Sequence, residues 1–204
     1  MSTTVAKAPS KRGLLLLMLL LFFAPLMVSF LVYYGSSWRP GGHTNHGVLI
    51  EPARPLPRVA LPRVDLIGSA DQALAPADTL SGRWSLLFIG DGECTSACSQ
   101  ALYFMHQTHL SLGSLIPRLQ RVWLAPQHCC RHAADPEVVP ALIALSAQGA
   151  AGAQLLAEFP EDRRDSSIFI VDPRGNLMMR YDVGADPKGL REDLKKLLNL
   201  SHIG

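Results

Sequence analysis

Residues 84–102, WSLLFIGDGECTSACSQAL, decide the fold. Trp84, Leu86, Leu87, Phe88 and Ile89 form an apolar run too short for a helix, and Gly90, Asp91 and Gly92 end it, which predicts a buried strand followed by a turn. From about Cys94 the apolar spacing changes. Ala97, Ala101, Leu102 and Met105 fall on one helical face, so the spacing predicts a helix with Cys94 and Cys98 in its first turns. Residues four apart there are neighbours. Unpaired N–H groups and the helix dipole at that end favour a thiolate, which makes Cys94 the nucleophile or metal ligand and Cys98 its resolving partner. A strand that delivers two thiols to a helix N-terminus offers either a redox pair or a soft metal site. The alternative is a static disulfide or two small core residues. Four cysteines are too few to staple a chain of 204 residues, which favours reactivity or metal binding.

The segment 13–34 is almost wholly Leu, Met, Phe and Val without a charged residue, long enough to cross a bilayer. Lys7, Lys11 and Arg12 precede it and no acidic residue does. The positive-inside rule therefore predicts a cytoplasmic tail over 1–12, a single-pass anchor over 13–34 and everything later on the outer side. An uncleaved anchor is preferred to a signal peptide, because the apolar stretch is long and no small-residue cleavage site follows Tyr34. All four cysteines then meet an oxidising compartment, the bacterial periplasm or a mitochondrial intermembrane space, where thiol chemistry requires a reductant or a bound metal. The outer part holds 16 basic against 17 acidic residues, a balance that gives nucleic-acid binding no support.

Residues 35–59 are rich in Pro, Gly and polar side chains without a helical or strand period, and read as an extracytoplasmic linker. His43 and His46 within it read as solvated. The remainder, 60–204, fits a single domain. A strand is predicted over 119–124, a helical region over 136–159 divided at Gly149 and Gly152, and a hairpin of strands 167–171 and 177–183 about the turn Asp172-Pro173-Arg174-Gly175. The last helix has Asp186 as N-cap and Pro187 at its first position, with Leu190, Leu194, Leu197 and Leu198 on one face. This order of elements predicts a thioredoxin-like α/β fold whose first two strands are parallel. Reactive groups of such sheets collect beyond the carboxyl ends of the parallel strands. There the loop Gln127-His128-Cys129-Cys130-Arg131-His132 follows the second parallel strand, at the same end of the sheet as Cys94. Thiolates of Cys94 and Cys98 with His128, Cys129, Cys130 or His132 would suit Cu(I) or Zn(II), and equally a thiol relay. His106 and His109 read as surface histidines.

The motif LSGRW of residues 80–84 leading into SLLFIG, the C-x-x-x-C of Cys94 and Cys98, and the hairpin FIVDPRGNL resemble those of the Sco/SenC family over roughly residues 61–198. The resemblance implies a membrane-anchored, thioredoxin-fold assembly factor for cytochrome c oxidase, acting by copper delivery to, or thiol maintenance of, the copper site of oxidase subunit II. It implies Cys94 and Cys98 as the thiol and metal positions, an oxidase subunit or another inner-membrane or periplasmic protein as partner, and a bacterial inner-membrane location. Where the family carries its ligand histidine, this chain reads Arg163-Arg164-Asp165-Ser166-Ser167. Ser99 replaces the proline after the second cysteine, and HCCRH replaces an acidic loop. Replacement ligands would come from His128, Cys129, Cys130 or His132. A general periplasmic thiol–disulfide reductase and a docking module without chemistry are the other readings.

Overall fold

The computed structural model describes residues 11–35, 45–64, 66, 73–90, 94, 96–126, 138 and 140–204. It divides into two units, residues 1–44 and 45–204. In the first, helix α1 (Lys11–Gly35) is 25 residues long with a mean hydropathy of 2.8 over its most apolar window, long and apolar enough to cross a membrane.

The second unit is built on a six-stranded sheet of order β1-β6-β5-β2-β3-β4. Its strands are β1 (Val48–Pro55), β2 (Trp84–Ile89), β3 (Leu119–Ala125), β4 (Leu142–Ser146), β5 (Ser167–Val171) and β6 (Asn176–Asp182). Its helices are α2 (Ser96–Leu110), α3 (Gly149–Leu156) and α4 (Pro187–Leu200). As the sequence predicts, β2 and β3 are parallel, and β4 continues that parallel set. On the other flank β5, β6 and β1 run antiparallel.

Every residue of β2 is buried, because both faces of the sheet are covered. Trp84, Leu86 and Phe88 point into a core shared with Leu102 and Met105 of α2 and Leu190, Leu194 and Leu198 of α4. Leu87 and Ile89 point the other way, into a core with Leu155 of α3, Phe159 and Phe169. The last two rings meet edge to face at 4.9 Å. Each fully buried Leu or Phe contributes about 1.5–3 kcal/mol, so β2 anchors both layers and fixes where its carboxyl end delivers the chain.

The hairpin turn forms as its residues dictate. Asp172 Oδ1 accepts from the backbone N–H of Arg174 at 2.9 Å and of Asn176 at 2.8 Å, and Gly175 takes a φ of +86° that a side chain would resist. The Asp186 side chain accepts from Lys188 N, the predicted N-cap of α4. At the other end of α4, the Arg118 guanidinium donates to the carbonyls of Leu198, Ser201, Ile203 and Gly204 at 2.6–2.9 Å. It satisfies acceptors that the helix terminus leaves open.

Three readings are corrected. Residues 48–55, placed in the linker, form edge strand β1, so the folded unit begins at Asn45 rather than at residue 60. Within the helical region 136–159, residues 142–146 are strand β4, and among the described residues only Gly149–Leu156 is α-helix. Ala- and Leu-rich sequence favours a helix locally, but pairing with β3, with Ala144 buried in one core and Leu145 in the other, outweighs that preference. Helix α2 starts at Ser96, so Cys94 precedes it, and Cys98 rather than Ala97 occupies the buried face.

Gly152 is held where α3 meets the chain leaving β4. A Cβ there would lie on the Ala147 backbone carbonyl. Gly152→Ala is expected to cost about 1–3 kcal/mol, read as a lower urea midpoint. An unchanged midpoint would mean that this junction can shift freely.

Candidate functional site

Strand β2 ends against a fixed neighbour, since Trp123 Nε1 of β3 donates to the Gly90 carbonyl at 3.2 Å. Beyond this end lie Cys94, just before α2, and Cys98, in its first turn. They are joined in a disulfide with a Cα–Cα distance of 5.0 Å. No free cysteine occurs among the described residues.

The two sulfurs differ in surroundings. Cys98 is 3% exposed and packs in the core beneath α2 with Ala101, Leu102 and Met105. Cys94 is only partly buried, and its Sγ lies 3.8 Å from the Ser99 hydroxyl, which donates to it. An outer sulfur open to a partner and an inner one shielded from it is the arrangement that thiol–disulfide exchange requires. The helix N-terminus supplies free N–H groups and a positive dipole end beside both.

Arg163 and Arg164, where the Sco/SenC resemblance expects a histidine, stand just before β5, whose first residues pair with the last ones of β2. Arg163 lies 3.5 Å from Asp162 and 4.0 Å from Asp182, and Arg164 donates to the Phe159 carbonyl at 3.1 Å. Both are engaged within their own surroundings. Among the described residues no group of three His, Cys, Asp or Glu side chains could hold a metal ion. Gln127, His128, Cys129, Cys130, Arg131 and His132 lie outside the described residues. So does His43.

His109 is not the surface residue expected from sequence. It is partly buried, its Nε2–H donates to the Leu119 carbonyl at 3.2 Å, and burial together with the Arg121 cation holds its pKa below the usual value. Arg121 itself went unnoticed in the sequence. Its side chain is 1% exposed within β3 and donates to the carbonyls of Val138 and Pro140, anchoring the chain that enters β4. A charge in the run LQRVWL was the available signal.

A second hub is centred on Asp193, buried on the inner face of α4. Its carboxylate accepts from the backbone N–H of His46 at 2.7 Å, from that of Gly47 at 3.1 Å, from His46 Nδ1 at 3.3 Å and from the Tyr181 hydroxyl. His46, read as a solvated linker residue, is therefore part of the folded unit. Burial alone would raise the Asp193 pKa, but donation from Tyr181, Gly47 and His46 holds it below the usual carboxylate value. Burial, with Asp193 alongside, raises that of Tyr181.

Residues 84–201 match the family described as transmembrane-like, thioredoxin-like, C-terminal domain. The chain belongs to that family. Its strand–cysteine–helix junction and its hairpin both fall within the matched thioredoxin-like domain. Among the curated proteins none matches the chain. Similar solved structures include the copper-bound ScoI of Arabidopsis thaliana, 16% identical, with a TM-score of 0.54 over 70% of this chain and 96% of that one. Copper-bound yeast Sco1 is 15% identical, with a TM-score of 0.55 over 72% and 96%. Apo Sco1 of Thermus thermophilus is 18% identical, with a TM-score of 0.55 over 78% and 98%. At these identities the likeness is one of fold, and it agrees with the Sco resemblance of the sequence.

Proposed function

We propose that this protein is a membrane-anchored thiol–disulfide reductase that maintains the cysteines of a membrane-bound client. The single observation that carries the reading is the asymmetric Cys94–Cys98 pair, one sulfur accessible and one buried, at a helix N-terminus beyond the end of β2. In the reduced protein the Cys94 thiolate attacks a client disulfide, forming a mixed disulfide and releasing one client thiolate. The Cys98 thiolate then attacks Cys94 Sγ, which releases the second client thiolate and closes the Cys94–Cys98 bond. Two electrons pass to the client, and a dithiol protein donor restores the pair.

Helix α1 anchors the chain in the bacterial inner membrane, with residues 1–12 cytoplasmic and the thioredoxin-like domain in the periplasm. The client is the copper-bearing subunit of cytochrome c oxidase, whose copper site needs reduced cysteines before it can be filled. The absence of a histidine in Arg163-Arg164-Asp165-Ser166-Ser167, where the Sco/SenC resemblance expects a copper ligand, supports exchange over metal carriage.

Copper delivery to the same client is the second reading, favoured by the copper bound in the similar Arabidopsis and yeast structures. Copper would then be cargo, held by Cys94 and Cys98 with substitute ligands from His128, Cys129, Cys130 and His132. Metal analysis and Cu(I) titration of the reduced protein, beside a redox titration of its thiols, separate the two readings. The reductase reading expects a reversible two-electron couple that Cys94→Ser removes, and purification without stoichiometric copper. Under the delivery reading, joint Cys129→Ser and Cys130→Ser substitution weakens Cu(I) binding at least tenfold, and unchanged affinity removes both from the ligand set.

A further inference from the structure

Residues 94–117 contain no Asp, Glu, Lys or Arg, although charged residues make up 18% of the chain. At that share about four would fall there, and exposed helical positions are where charge normally concentrates. Helix α4, which packs on the same face of the sheet, shows the ordinary pattern with Lys188, Arg191, Glu192, Lys195 and Lys196 on its outer side. On α2 the outward stripe is instead Ser96, Ser99, Gln100, Tyr103, Gln107 and Leu110, with Tyr103 52% and Leu110 53% exposed. His109, beside that stripe, is held toward its neutral form by burial. Among the described residues, cations return at the far end, where Lys188 and Arg191 line a groove with Gln107 and Ser111.

We infer that the outer face of α2 is the docking surface for the reductase's client, and that it takes a cysteine carried in an uncharged, apolar segment. The inference rests on the reductase reading above. The stripe begins at the disulfide, so whatever reaches Cys94 Sγ must lie along or beside it. Interface centres are depleted of charge, as this face is, and favour tyrosine, which Tyr103 supplies here. A charged segment would lose hydration against this stripe, which offers no charge of its own from Ser96 to Leu110, whereas an uncharged one loses little and buries Tyr103 and Leu110.

The test uses the full chain, carrying Cys129→Ser and Cys130→Ser, in a phosphatidylcholine nanodisc. Three peptides, each with one cysteine blocked as a mixed disulfide with 5-thio-2-nitrobenzoate, present that cysteine among uncharged apolar residues, glutamates or lysines. Attack by the reduced Cys94 releases the coloured thiolate. The uncharged peptide is expected to react at least tenfold faster than either charged one. Tyr103→Glu, and separately Leu110→Lys, should each lower that rate about tenfold while leaving the rate with neutral dithiodipyridine unchanged. Equal rates for all three peptides would overturn the docking proposal. A rate constant that falls as protein concentration rises would mean that a second copy covers the face, and would overturn it too. Failure of Cys94 to react even with dithiodipyridine would instead bring down the reductase reading itself.

Discussion

Cys94→Ser is expected to lower the rate at which the reduced protein cleaves a client disulfide by at least about a thousandfold, because a hydroxyl is not ionised at neutral pH and cannot replace the thiolate. Cys98→Ser should behave differently. The first attack remains, but the buried resolving sulfur is gone, so the client accumulates as a covalent adduct on Cys94. The two outcomes follow from burial: Cys98, 3% exposed, is shielded from a partner, while Cys94 is partly open. Mass spectrometry of each variant after exposure to client disulfide reads both. An adduct on Cys98 in the Cys94→Ser variant, formed as fast as the one on Cys94, would reverse these roles.

Asp193→Ala is expected to destabilise the folded unit by about 3 kcal/mol or more, since it strands the Tyr181 hydroxyl and the backbone N–H groups of His46 and Gly47 together. Urea denaturation checks this. Asp193→Asn keeps an acceptor oxygen and should cost less. The pH dependence has a definite sign. The folded carboxyl titrates below its unfolded value, so its stabilisation is fully present above the ordinary carboxylate pKa of about 3.9 and is lost as pH falls through the lower folded value. In Asp193→Asn that part of the acid destabilisation should vanish. A wild-type and an Asp193→Asn curve of identical shape below about pH 4 would contradict the assignment.

The same hub shows what a sequence conceals. Asp193 lies among Leu190, Leu194 and Leu198 on the apolar face of α4, a visible anomaly, but its partners His46 and Gly47 are almost 150 residues away and in a stretch that reads as linker. Strand β1 was hidden for a related reason. It is an edge strand with mostly exposed side chains, held to β6 by backbone pairing, and so carries no alternating pattern; Pro52 and Pro55 are tolerated at such an edge. Strand β4 is masked by Ala144 and its two leucines, which suit a helix as well as a strand buried on both sides. By contrast β2, the hairpin and α4 were legible, because Gly90, the Asp172–Gly175 turn and the Asp186–Pro187 cap mark their boundaries. The cysteine pair was legible from its place between strand and helix. The inequality of its two sulfurs was not, since it depends on Cys98 turning inward where the spacing predicts Ala97.

Stepwise reduction with alkylation of the full chain shows whether the Cys94–Cys98 disulfide is an accessible, exchangeable pair. Under a mild dithiol the Cys94–Cys98 link is expected to open in the folded state, with Cys94 labelled by iodoacetamide well before Cys98. A link that opens only when the protein is unfolded by urea, or two sulfurs that stay unlabelled after folded-state reduction, would contradict it.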